Sequence, residues 1–61
     1  MSPPRDGEIS TRKAARLLGT HRNTVYRWIQ DHALVARWDE QSKRYWVEEK
    51  TVRRMLIAVR G

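Results

Sequence analysis

Apolar positions recur at helical spacing twice in the first half of the chain. Ala14, Ala15, Leu17 and Leu18 fall on one side of a helical wheel, with Arg12 and Arg16 opposite. Ser10 precedes this stretch and is suited to cap a helix beginning at Thr11, its hydroxyl accepting a backbone N–H of the first turn. Gly19 follows and offers a left-handed C-terminal turn at no steric cost. A second helix is predicted almost at once, because Val25, Trp28 and Ile29 recur at helical intervals, with Asn23, Tyr26, Arg27 and Gln30 on the opposite face.

After His32 the pattern changes. Residues 34–38 (LVARW) and 43–47 (KRYWV) are rich in β-branched and aromatic residues, and the polar run 39–42 (DEQS) lies between them. This predicts a β-hairpin without the Asn-Gly or Asp-Gly pair of the tightest turns. A third helix is predicted from about Glu48 to the end at Gly61. Glu48 and Glu49 favour its N-terminus through the helix dipole, while Val52, Met55, Leu56 and Val59 form its buried stripe and Ile57 falls off it. Residues 1–8 (MSPPRDGE) hold both prolines and almost nothing apolar, which reads as a flexible leader. The expected architecture is α+β, mainly helical: one domain over residues 9–61, in the order helix, turn, helix, hairpin, helix.

Composition narrows the classes. At 61 residues the chain is a single small domain, and a domain near this size buries only roughly 60% of the surface its unfolded chain exposes. With no cysteine it has neither a disulfide nor a thiolate metal site. No apolar run approaches the ~20 residues of a membrane span, so the expected location is cytoplasmic, without a membrane partner. The net charge is +6. It is concentrated in the helical segment, where Arg12, Lys13, Arg16, Arg22 and Arg27 stand against Asp31 alone within residues 10–32. Such a balance fits a polyanionic partner.

The two short helices and their turn supply the chemistry. A helix fits the major groove of B-DNA, whose floor carries a donor and acceptor pattern distinct for each base pair. Arg22 and Arg27 suit guanine, Asn23 suits adenine, and Tyr26 offers a hydroxyl to phosphate or a ring to a thymine methyl. Other chemistries fit poorly. His21 and His32, eleven apart and without cysteine, match no zinc spacing, so no metal is expected. No nucleophilic triad and no glycine-rich phosphate loop is present, so no catalytic site, cofactor or small-molecule ligand is expected. Trp28 falls on an apolar face and is expected in the core, and Trp38 and Trp46 are expected there too, as the hairpin face that covers the helices.

The stretch ISTRKAARLLGTHRNTVYRWI, residues 9–29, resembles the helix-turn-helix of the excisionase and MerR-type winged proteins. A small Ala pair, Leu-Leu-Gly, a short cap and Thr-Val-Tyr-Arg recur in that order. The resemblance runs on through Leu34, the hairpin or wing, and Tyr45 into the last helix, covering about residues 9–59. It implies a winged helix-turn-helix in which Arg22, Asn23, Tyr26 and Arg27 belong to the recognition helix. It also implies that Thr24 touches the DNA backbone, and that Lys43 and Arg44 are the basic residues of a wing contacting an adjacent minor groove or its phosphates.

Three positions depart from that family. His21, a poor cap, stands where Ser or Asp usually caps the second helix, and His32 stands where Gly usually precedes the wing, which predicts strain there or a different turn. Asp39 and Glu40 place acids near the wing tip, which argues against minor-groove insertion and for a wing lying along the backbone or against a neighbouring protein. Full MerR-type regulators carry a dimerisation helix and an effector domain after this module, and here the sequence ends at Gly61 without them. On that ground the resemblance favours an excisionase, or recombination directionality factor, of a phage or integrating element in a bacterial host. The implied partners are double-stranded DNA, neighbouring copies of the chain on repeated sites, and an integrase, with the tyrosine type favoured. The alternative is a small stand-alone MerR-like transcription regulator.

Overall fold

Capping residues set the limits of the first two helices. A computed structural model describes residues 4–60, with side chains through residue 58. Its elements are β1 (Glu8–Ser10), α1 (Thr11–Leu18), α2 (Arg22–Gln30), β2 (Ala36–Asp39), β3 (Arg44–Glu48) and α3 (Glu49–Arg60). Ser10 is the N-cap of α1, its Oγ accepting the Lys13 N–H at 3.1 Å. Gly19 ends α1 at φ 66°. There the Gly19 N–H donates to the Arg16 carbonyl and the Thr20 N–H to that of Ala15, the paired bonds of a Schellman turn. His21 precedes α2 without a side-chain cap, as its residue type predicted. α2 ends with the same pair of bonds, His32 N–H to the Ile29 carbonyl and Ala33 N–H to that of Trp28. The left-handed position of this second turn is His32 itself, at φ 62°.

The hairpin strands β2 and β3 pair antiparallel, and β1 adds to the other edge of β3, giving the order β1-β3-β2. No strand was expected before α1. Glu8, placed in the leader by its composition, pairs with Glu48, and Ile9 pairs with Val47. Residues 1–3 of the expected leader lie outside the described residues.

Every element sends at least one apolar side chain inward. Ile9, Ala14, Ala15, Val25, Leu34, Val47 and Val52 form the core, with Leu18, Trp28, Ile29, Ala36, Met55 and Leu56 packed around it. The expected stripes of α2 and α3 hold, and Ile57 is exposed as expected; the Val59 side chain lies outside the described residues. Leu17, expected inside, is exposed. Strand pairing fixes which side of the sheet meets the helices. Because side chains alternate along a strand, Val47, Tyr45, Ala36 and Trp38 share the inner face, while Trp46, Arg44, Arg37 and Glu8 share the outer one.

Candidate nucleic-acid interface

The Schellman turn at Gly19 brings α2 across α1 with Val25 fully buried, which turns the opposite face of α2 to solvent. Arg22, Asn23, Tyr26, Arg27 and Gln30 are exposed on that face, and Thr24 is half-buried beside them. Among the described residues, no ion pair engages Arg22 or Arg27. The recognition-helix residues predicted from the sequence therefore stand together, with their charges uncommitted.

The hairpin meets this face through aromatic rings. The Tyr26 ring lies 6.3 Å from that of Tyr45. Tyr45 in turn meets Trp38 edge-on at 5.0 Å. Trp38, expected in the core, is 47% exposed. Its face was rightly predicted, since it pairs with Tyr45 on the inner side, but the hairpin overhangs the helices and the core ends before reaching it. Trp46 is buried at 8% exposure, as expected, yet on the outer face rather than over the helices. Its Nε1 donates to Asp39 and the Arg44 guanidinium lies over its ring at 5.7 Å.

The wing's own predicted residues are divided by the pleat. Lys43 and Arg44 are both exposed, but Arg44 belongs to the outer face, away from Tyr45 and α2. Lys43 occupies the turn with φ 53°, its Nζ 2.8 Å from Glu40 Oε1. Asp39, expected as a repulsive acid at the tip, is buried instead. Its carboxylate accepts from Ser42 Oγ at 2.7 Å, Trp46 Nε1 at 3.0 Å and the Gln41 N–H at 3.0 Å, an Asx-type turn that replaces the missing Asn-Gly pair. Those donors, Ser42 foremost, hold the Asp39 carboxyl well below the usual carboxylate range. Glu40 is exposed but matched, and the bonds from Lys43 and then Trp38 lower its pKa.

A second latch spans the outer face. Arg37 grips Glu8 in a two-pronged ion pair, Nη2 to Oε1 at 2.8 Å and Nε to Oε2 at 3.0 Å. That bond above all, with the Arg5 N–H, lowers the Glu8 pKa to about 2. Arg37 thus ties β2 to β1 across β3.

Among the described residues, no cluster of three or more His, Cys, Asp or Glu is placed to hold a metal, and no helix is long and apolar enough to cross a membrane. A family model described as a helix-turn-helix domain matches residues 8–58. That family includes excisionase-like DNA-binding proteins. No curated protein and no solved structure gives a significant match.

Proposed function

The chain belongs to the helix-turn-helix domain family, and from that premise we propose that it binds specific sequences in double-stranded DNA as an excisionase. One observation carries the DNA reading: the exposed face of α2 gathers Arg22, Asn23, Tyr26 and Arg27, and neither arginine has an acidic partner among the described residues. In this reading α2 enters the major groove and those four side chains read base edges or grip the flanking phosphates. Thr24 touches the backbone at the start of the helix. Lys43 and Arg44 meet neighbouring phosphates, the one from the tip and the other from the outer face of the wing.

The excisionase step rests on the excisionase-like members of the family. One small domain presents a single recognition helix, so one copy covers a short site and binds it weakly. Useful affinity then comes from neighbouring copies on repeated sites, which bend the duplex and help an integrase excise the element. The test is a gel-shift titration on a tandem-repeat attachment-site fragment, followed by a circular-permutation assay for bending and then added integrase. Stepwise cooperative complexes that bend the fragment and promote excision are expected. Binding confined to a promoter operator, with no bend and no effect on integrase, would replace the excisionase with a small MerR-like regulator. No salt-sensitive binding to any duplex would overturn the DNA reading itself.

A further inference from the structure

We infer that Trp38 is a DNA contact whose indole ring packs against the deoxyribose edge of a duplex seated on α2. The inference rests on the DNA-binding reading above and adds to it a residue that no helical face or basic motif marks.

Three observations lead there. The first is what Trp38 has left to offer. Its Nε1 donates to Glu40 Oε2 at 2.6 Å, and Glu40 Oε1 accepts from Lys43 Nζ at 2.8 Å. The only hydrogen-bonding atom of the indole is therefore committed, and 47% of the residue remains open to solvent as an apolar surface. The same chain of bonds sets the Lys43 charge against that of Glu40, so the tip presents a ring and a neutral pair to phosphate rather than an acid.

The second is position. Trp38 shares the inner sheet face with Tyr45, which lies 5.0 Å away, and Tyr45 lies 6.3 Å from Tyr26 of α2. The rings form one strip from the recognition helix to the wing. Edge-to-face packing and the Glu40 bond already restrict the indole, so little freedom remains to be lost on contact.

The third is the character of the neighbourhood. Arg22 and Arg27 are exposed on the same face of α2 as Tyr26 and carry no ion pair among the described residues, which selects a polyanion over an apolar protein surface. Between its phosphates a duplex offers the sugars as apolar surface. A ring without a free donor or acceptor reads no base code, so the contact adds affinity without sequence preference.

The experiment is a set of anisotropy titrations of the intact chain across a range of salt, on a specific and on an unrelated duplex. Trp38→Ala is expected to weaken binding to both by roughly ten-fold, from the apolar area it no longer covers. The log–log salt slope should not move, because no cation is lost, whereas Arg27→Ala as a phosphate contact would flatten it by about one. Trp38→Phe keeps a ring and should lose less, which covers the case of an alanine variant that folds poorly. Acrylamide quenching of the wild type against Trp38→Phe isolates the Trp38 signal, and that signal should be shielded in the complex. Wild-type affinity in Trp38→Ala, or Trp38 equally quenchable with and without DNA, would overturn the inference while leaving the DNA reading intact. A loss confined to the specific duplex would overturn the sugar contact in favour of a base contact. Failure of the wild type to bind any duplex would remove both readings together.

Discussion

Arg37 and Arg27 are the same residue type in opposite circumstances. On the outer face of the sheet, Arg37 is held by both oxygens of Glu8, and Asp39 is enclosed by three donors. On α2, Arg22 and Arg27 are exposed and carry no ion pair among the described residues. Charges satisfied internally hold strands in register, and they have little attraction left for a ligand. Charges left in water keep theirs for an arriving phosphate or base edge. Net charge alone does not separate these groups; the partner of each charge does.

The double substitution Arg22→Ala with Arg27→Ala breaks the comparison most directly. Each removes on the order of 1–3 kcal/mol of DNA contact, so affinity should fall by roughly thirty-fold or more. Stability should hardly change, because surface substitutions away from packed features usually stay within about 0.5 kcal/mol. Fluorescence anisotropy against a specific duplex, beside a thermal melt of the free protein, reads both effects. A large drop in Tm with little change in affinity would show that α2 uses its arginines as the sheet does.

Acid titration probes the latched side. Glu8 is held at about 2 in the folded chain against an ordinary 4.5, and Asp39 below its ordinary 3.8. A depressed folded pKa stabilises the fold above the ordinary value and loses that contribution as pH falls through the folded one. Tm should therefore be insensitive to these two groups above about pH 5 and fall between there and pH 2. Glu8→Gln should flatten the upper part of that decline. An unchanged profile in Glu8→Gln would remove the Arg37 latch from the account.

The parts of this molecule legible in the sequence are those set by near neighbours. Ser10, Gly19 and the Val25–Trp28 spacing act within a few residues, so the first two helices and the exposed face of α2 follow from local pattern. β1 does not, because its three residues become a strand only through Ile9 meeting Val47 far along the chain. Asp39 looks like a surface acid until its bond to Trp46 is known. Arg44 and Trp38 depend on pleat parity and on where the core ends, and no short run of residues encodes either.

The smallest expected effect lies at the junction of the two regions, where α2 gives way to the hairpin. The turns at Gly19 and His32 use the same pair of backbone bonds and nearly the same φ, 66° and 62°. In the first the residue has no Cβ to crowd the following carbonyl, and in the second it does. A left-handed conformation costs an ordinary L-residue about 1–2 kcal/mol, and glycine returns roughly half of that advantage through its freer unfolded chain. His32→Gly should thus stabilise the protein by about 0.5–1 kcal/mol, a rise of roughly 2–8 °C in Tm for a domain of this size. DNA affinity should stay level, because the bonds that end α2 come from the backbone and survive the change. A melt that fails to rise would mean that the His32 side chain contributes more than its strain costs. A stable variant that binds DNA less well would instead add His32 to the basic face of α2, and the latched and the open regions would then meet at a shared residue.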